Sequence, residues 1–311
     1  MFDSVDFRLT QDEAGGVDFL AEIPRYLDNV GEHVYCNGVS ITGKLGGLDV
    51  SVTDYRVKVH NGSMCKWLLG NNYHTLSRRD TQNAIVKLSD LLHIPMSSAT
   101  VTRLDVAQNF IVQHPIAVYL DHLGSLRYAD RLRQPTGLYY KRAGGVFCLY
   151  DKNQEQKDKG EPIPDIYAGR NVLRLELRYM SRLGKQLNVP RVTGALLYDE
   201  HFYRGLLDRW RDVYKSIYKI NDIELNLQAM RTKKDLYQMG ILSLVDRAGG
   251  QLQFLEQINE QQRRGELTKK EAYDIRQSIN KACESSAVLV VPNEAIQELD
   301  KKVSEAVRFY R

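Results

Sequence analysis

The residue types that could do chemistry gather on three strand-like segments. In Gly145–Lys152, alternation puts Cys148, Tyr150 and Lys152 on one side and Phe147 and Leu149 on the other. In Val172–Tyr179 it puts Arg174, Glu176 and Arg178 together, opposite Leu173, Leu175 and Leu177. A third segment, Val101–Ala107, carries Asp105 beside Arg103. A tyrosine next to a lysine, with carboxylates set among arginines, suits phosphodiester chemistry. Cutting a DNA strand while conserving the energy of its bond needs a nucleophile that stays on the phosphate, and a phenolate can do this. A divalent cation would polarise the scissile phosphate, and Mg2+ or Mn2+ would be held by hard oxygen ligands such as Asp and Glu side chains. A lysine close to the tyrosine, as Lys152 is in sequence, would lower the phenol pKa or stabilise the leaving oxygen.

Several tyrosines compete for the nucleophile's role. Tyr179 has the parity of the leucines and should point into an apolar layer. Tyr150 shares its parity with Lys152, Tyr140 with Arg142, and Tyr139 with Lys141. Spacing favours Tyr150, then Tyr140, and leaves open that each is an ordinary strand tyrosine. The acidic positions also have a plain reading, as same-face ion pairs of Asp105 with Arg103 and of Glu176 with its flanking arginines on a solvated sheet. Seven histidines are present, none at i, i+2 or i, i+4 from another, so neither a His-x-His clamp nor an HExxH zinc site is available. Phosphate-cradling GxGxxG and GxxxxGK[ST] loops and a GxSxG elbow are missing too. A tyrosine recombinase is disfavoured, since it needs a helical catalytic domain and the candidate residues here lie on strand-like segments.

The elements that must position these side chains read as mixed α and β up to about residue 220. Val5–Leu9 is strand-like, and Val34–Val59 reads as a hairpin or meander broken at Gly46 and Gly47. Asp80–Leu92 reads as a helix with Ala84, Ile85, Leu88, Leu91 and Leu92 on one face, ended by Pro95. Pro115 suits the first position of a short helix. Leu138–Arg142 and Val146–Lys152 form a hairpin turning at Gly144 and Gly145. Asn153–Arg170 is polar, with two prolines and two glycines, and reads as an exposed loop. Ser181 is placed to cap a helix through Leu187. From Leu196 to Ile220, Tyr203, Leu206, Leu207, Trp210, Val213, Tyr214 and Ile217 repeat at helical spacing. Beyond Asn221 alternation fades, and Thr232/Asp235 and Thr268/Glu271 mark helix starts. The expected division is therefore 1–220 and an all-helical 221–311.

The chain has 311 residues, 43% hydrophobic and 26% charged, enough for one large or two ordinary domains. No apolar run approaches the roughly 20 residues that cross a bilayer, and the first residues lack a signal-peptide pattern, so a cytoplasmic protein without membrane contact is expected. The four cysteines are dispersed, against a zinc knuckle or a disulfide framework. A net charge of +4 permits nucleic-acid binding without establishing it. The 18 tyrosines against 8 phenylalanines favour surfaces where an aromatic ring must also hydrogen-bond.

Three motifs in order carry a resemblance: Thr102-Arg-Leu-Asp-Val-Ala107, Phe147-Cys-Leu-Tyr-Asp-Lys-Asn-Gln-Glu155 and Leu173-Arg-Leu-Glu-Leu-Arg178. Together with the Lys66-x-x-x-Gly70-x-Asn72 stretch, they resemble rolling-circle replication initiators over about residues 1–200. The gene II proteins of filamentous phages, and similar phage and plasmid replication proteins, are the nearest. The resemblance implies an α+β fold, an antiparallel sheet flanked by helices like the nicking endonucleases but without their histidine clamp, followed by the helical C-terminal region. It implies a nickase and strand transferase that forms a covalent 5′-phosphotyrosine bond at an origin. Tyr150 matches the nucleophile, Lys152 the lysine two residues on, and Asp105 and Glu176 the acidic, metal-binding strands for Mg2+ or Mn2+. Asp6, Asp54 and His74 are the candidates for a third ligand. Arg103, Arg142, Arg174 and Arg178 are expected at phosphates. Origin DNA, single-stranded or supercoiled, is the implied partner, in the cytoplasm of a bacterial host. A host helicase or a second copy of the chain is left open for the helical region. A mobilisation relaxase of the same chemistry and a non-catalytic DNA-binding regulator are the alternatives.

Overall fold

The structure, a computed structural model, describes residues 1–36, 38–220, 231–284 and 293–311. Its strands in chain order are β1 (Phe2–Thr10), β2 (Asp28–Tyr35), β3 (Gly38–Leu45), β4 (Leu48–Val52), β5 (Arg56–His60), β6 (Thr100–Val112), β7 (Leu123–Leu126), β8 (Asp130–Gln134), β9 (Gly137–Arg142), β10 (Gly145–Asp151), β11 (Asn171–Tyr179) and β12 (Ile217–Lys219). Ten of them form one antiparallel sheet in the order β2-β3-β4-β5-β1-β6-β11-β10-β9-β8, and β7 pairs separately with β12. The helices are α1 (Phe19–Glu22), α2 (Met64–Leu69), α3 (Arg78–Leu92), α4 (Ile116–Asp121), α5 (Lys152–Asp158), α6 (Leu183–Leu187), α7 (Gly194–Leu197), α8 (Glu200–Lys215), α9 (Lys233–Arg247), α10 (Gln251–Arg263), α11 (Lys269–Glu284) and α12 (Glu294–Tyr310). The expected α+β class with a helical C-terminal region is what the chain adopts.

The two faces of the sheet centre have different jobs. Strand alternation turns Leu104, Val106 and Phe110 of β6, Leu173, Leu175 and Leu177 of β11, and Phe147 and Leu149 of β10 to one side, all buried in the main core. Helices α4, α8 and α12 cover that side: Trp210 of α8 lies against Phe110, ring centroids 6.3 Å apart, and Tyr310 of α12 reaches Gln108. Tyr179 and Tyr140 point to the same side, as parity requires, and the Tyr140 hydroxyl donates to the Gly124 carbonyl. The opposite face of the same strands is polar, and α2 and α5 flank it.

Local boundaries differ from expectation where polar sequence hides structure. Of the stretch read as a loop, residues 153–158 are helical, while 159–170 are irregular apart from a turn at Asp165–Tyr167. Asp151 accepts a hydrogen bond from the Gln154 amide and so starts α5, which makes Lys152 a helical residue rather than the last residue of the strand. Helix α5 is polar yet anchored: Asn153 donates to the carbonyls of Tyr167 and Arg170 and accepts from the Tyr73 hydroxyl. Pro115 is the residue before α4, α6 starts after Arg182 without a Ser181 cap, and α8 stops at Lys215 so that 217–219 can form β12. In α3, Leu91 faces solvent while Ala84, Ile85, Leu88 and Leu92 are buried. The capping boxes at Thr232/Asp235 and Thr268/Glu271 are formed.

The expected boundary near 221 falls at residues 221–230, outside the described residues. Helices α9, α10 and α11 share a small core of Val245, Ile258, Ala272 and Ile279. Helix α12 instead buries Ala295, Ile296, Leu299, Val303 and Val307 in the main core. The last stretch of the chain is thus part of the sheet's own packing rather than of a separate helical unit. No helix among the described residues is long and apolar enough to cross a membrane.

Candidate active site

The register of the three central strands lines up the chemistry-bearing residues. Glu176 of β11 stands opposite Ala107 of β6 on one side and Cys148 of β10 on the other. Asp105 stands opposite Arg178, and Tyr150 opposite Arg174 and, through β11, Asn109. Residues paired across an antiparallel ladder share a face. Asp105, Glu176, Tyr150, Arg174 and Arg178 therefore sit on one surface, with Asp105 and Tyr150 each one diagonal step from Glu176. The expectation that these residues converge is met by Asp105, Tyr150 and Glu176.

Glu176 is the hub. Its Oε2 accepts from the Tyr150 hydroxyl at 3.1 Å and from Arg178 Nη2 at 2.8 Å, with Arg174 Nε at 3.7 Å. Burial works against its ionisation, but Arg174 and Arg178 outweigh it and hold the carboxyl at about 2. Burial and the Glu176 charge raise the Tyr150 phenol well above its ordinary value, so the hydroxyl at rest is a protonated donor. Asp105 is held by Arg103 in a two-pronged pair, Nη2–Oδ2 2.6 Å and Nε–Oδ1 3.2 Å. Burial, with the Glu176 charge added, still prevails over Arg103 and moves Asp105 up to about 7.

This asymmetry sets a pH test. Because the folded Asp105 carboxyl titrates above the ordinary 3.8, its favourable contribution to stability is complete below about pH 4 and is lost as pH rises through about 7. Glu176 runs the other way, contributing above about 4.5 and losing the contribution as pH falls through about 2. Asp105→Asn should therefore gain stability relative to the parent protein between about pH 4 and pH 8. Urea midpoints at both ends check this; an offset that does not change with pH would count against the burial argument.

Asp3 was not foreseen. Its carboxylate takes Arg174 Nη2 at 2.6 Å and the Ser63 hydroxyl. Arg174, fully buried, also donates from Nη1 to the Asn72 carbonyl (3.1 Å) and to Asn109 Oδ1 (3.2 Å). It is a strut under the site and offers no surface to a phosphate, contrary to its expected role as a DNA contact. The signal for Asp3 was hidden by register shifts in β1 between Phe2 and Val5 and between Asp6 and Phe7, which break strand parity.

Lys152 does not share Tyr150's strand face. It lies at the start of α5 with no exposed surface, its Nζ 2.7 Å from Glu155 Oε2 and 5.7 Å from the centre of the Tyr73 ring. Burial, and then Arg174, lower it to about 8. Glu155 also pairs with Lys159. Arg142 has the opposite parity from the site and lies on the other side of the sheet, away from Tyr150. Arg103 and Arg178 do reach the site.

Above the polar face lies an open cleft of about 920 Å³, lined among others by Asp105, Glu176, Tyr150, Arg103, Arg178 and Trp67. Tyr150 and Arg178 also border an adjoining cavity of about 300 Å³ with Tyr139. The Lys66–Gly70–Asn72 stretch is part of the wall. Ser63 caps α2 and Gly70 ends it in the left-handed region (φ 82°), which brings Lys66 and Asn72 to the cleft. Lys66 pairs with Glu161 there. Arg178 Nε and Asn72 Oδ1 are buried without a hydrogen-bond partner.

Over residues 1–201 the chain matches a phage family described as the N-terminal part of the replication-associated gene II protein. The chain belongs to that family. No curated protein matches it. Residues 1–201 take in every strand of the cleft and α2 and α5 beside it. Asp105 and Glu176, the acidic residues of the motifs on β6 and β11, both line the cleft. Among the described residues no three His, Cys, Asp or Glu side chains gather as a metal site. Of the candidates for a third ligand, Asp54 and His74 are exposed and Asp6 stands opposite Arg103, and none lines the cleft. Of the acids that line the cleft, Asp105 and Glu176 are the two on the central strands that the motifs single out, and Mg2+ would need no more than one or two carboxylates, with phosphate oxygens and water completing its shell. A divalent cation would also offset the Glu176 charge, which adds to the larger effect of burial in raising Asp105.

Proposed function

We propose that the chain is a rolling-circle replication initiator that binds origin DNA, nicks one strand through Tyr150 and rejoins it. The observation that carries this is the Tyr150 hydroxyl donating to Glu176 in an arginine-lined open cleft. The hydrogen bond fixes the phenol's direction, and its oxygen keeps lone pairs for the phosphate. As the tyrosyl oxygen bonds to phosphorus, its proton passes to Glu176 Oε2 and the bond to the 3′-oxygen breaks. Glu176 then gives that proton up to the leaving oxygen, which ends as a 3′-hydroxyl and leaves the carboxylate as it began. Energy is retained in the phosphotyrosyl ester, so a later 3′-hydroxyl can reverse the step. Arg178, whose side chain is partly exposed in the cleft wall, is placed to donate to a non-bridging phosphate oxygen. Arg178, with the buried Arg174 behind it, offsets the negative charge that builds on the phosphate. Mg2+ or Mn2+ on Asp105 and Glu176 would supply Lewis-acid polarisation of the phosphate. Lys152 acts from beneath, as a positioning charge that locks Glu155 and the start of α5 just after the nucleophile.

The test is to mix the protein with supercoiled DNA carrying its origin and either cation. Nicked circles bearing covalently attached protein are the expected product. Shifted DNA with no nick and no cation dependence would instead identify a non-catalytic regulator.

Lys66 carries a second expectation. Glu161 occupies it at the cleft wall, where a DNA phosphate would otherwise sit. Partly exposed pairs of this kind contribute little to stability, about 0–1 kcal/mol. Glu161→Gln should therefore leave the melting temperature almost unchanged while tightening DNA binding roughly threefold, the equivalent of about 0.6 kcal/mol. Anisotropy titrations at fixed salt read this out; weaker binding would show that Glu161 is not a competitor for the phosphate.

A further inference from the structure

A separate cavity of about 410 Å³ lies on the other side of the sheet, and it holds the arginine that the active site leaves out. Arg142, at the end of β9, lines it with Arg127, which follows β7, and Arg209 of α8. The Tyr179 ring and Leu126 supply apolar wall. Among the described residues no carboxylate pairs with any of the three arginines. The one acid in the wall, Asp212, is taken by Arg211 at 2.8 Å. Arg209 donates from Nη1 to the Gln186 carbonyl at 3.2 Å. Three uncompensated guanidiniums around one cavity make a field that attracts phosphate, and guanidinium is the group that grips it in two-pronged fashion.

Next in the chain after Arg127, Tyr128 is 81% exposed, in the left-handed region at φ 59°, with the Arg127 guanidinium 4.6 Å from its ring centre. An aromatic ring held in solvent next to a cation is a platform for an unpaired base. The cavity is at the small end of ligand sites, which run from about 300 to 1,000 Å³, so it fits a nucleotide or two and excludes a duplex. The position is remote from the nucleophile. Arg142 is in register with Gly145, five residues before Tyr150 on β10, which is roughly 17 Å along the strand at about 3.4 Å per residue, and it is on the opposite face.

We propose that Arg127, Tyr128, Arg142 and Arg209 form a second binding site, for the phosphodiester backbone and an unstacked base of single-stranded DNA. It is separate from the cleft that carries Tyr150 and does not depend on the chemistry there. An initiator with two such sites holds a second stretch of strand while the first occupies the cleft.

Binding alone tests this, so the experiment is run in EDTA, where the outcome is independent of nicking. Anisotropy of labelled (dT)20 is titrated across a salt series with the full chain and with Arg142→Ala/Arg209→Ala. The double variant should bind about tenfold more weakly, and the slope of log K against log salt should shrink by about 1.4, or about 0.7 for each phosphate no longer neutralised. Arg142→Lys/Arg209→Lys should recover most of that slope. Tyr128→Ala should weaken binding roughly tenfold with the slope kept, the mark of missing stacking rather than missing charge. Equal melting temperatures show that the variants are folded. Unchanged affinity and slope in the double variant would overturn the proposal. So would a melting shift with inorganic phosphate alone that the double variant loses while (dT)20 binding stays the same, because the cavity would then be a small-anion site.

Discussion

Tyr150→Phe should give a folded protein that binds DNA and forms no covalent adduct with it. The phenyl ring keeps its packing on β10. The lost hydroxyl removes one hydrogen bond to Glu176, costing about 1 kcal/mol, while Arg178 and Arg174 still satisfy the carboxylate. Nicking should fall by about 10⁴-fold or more, the scale on which removal of a nucleophile acts elsewhere. Tyr139→Phe is the informative companion. Tyr139 stands opposite Cys148 on the same face and borders the adjoining cavity, so it is the other tyrosine that a strand in the cleft would meet. Its removal should leave the adduct in place. Gel mobility of labelled DNA after proteinase treatment distinguishes the two variants, and an adduct that survives in Tyr150→Phe would move the nucleophile to another residue.

The second large effect is on stability. Arg174 has no exposed surface and is the cation shared by Asp3 and Glu176. Truncating one member of a buried charge network leaves the others uncompensated and costs about 3–5 kcal/mol. A domain's whole stability is about 5–15 kcal/mol, so Arg174→Ala should lose a large part of the folded state's margin. Lysine should not rescue it, because Arg174 serves Asp3, Asn72 and Asn109 from different nitrogens or in different directions, and an ammonium cannot reproduce that fork. Urea unfolding of Arg174→Ala and Arg174→Lys measures both. A loss below about 1 kcal/mol in the alanine variant would mean that the network is not a support for the site.

The site was legible in the sequence where alternation is unbroken. Along β6, β10 and β11 the period of two assigned Asp105, Tyr150 and Glu176 to polar faces and Tyr179 to the apolar layer, and antiparallel pairing then brought those polar faces onto one surface. Three features escaped for physical reasons. Asp3 and Asp6 differ in parity, yet the shifts of register in β1 let Asp3 meet Arg174 and Asp6 face Arg103; periodicity cannot register an extra residue. Helix α5 has no apolar stripe, because it is held by Asn153 and Glu155 through hydrogen bonds and ion pairs, so its sequence looks like a loop. Arg174 has the same strand parity as Arg178, and parity says nothing about depth: one is sealed against Asp3 and Asn72 while the other borders the cleft. In the C-terminal region, capping boxes were readable from four-residue patterns, but the return of α12 to the main core is a tertiary choice that no local pattern carries.

The most direct test of the account is the identity of the residue left on DNA after nicking. Digestion of the covalent complex with trypsin should release the DNA joined to residues 143–152, a peptide whose one tyrosine is Tyr150. Tyr139 and Tyr140 fall together on a different peptide, residues 134–141, so mass spectrometry separates the alternatives without further fragmentation. A nucleotide mass on residues 143–152 is the predicted result. The same mass on residues 134–141, or on any other peptide, would contradict it.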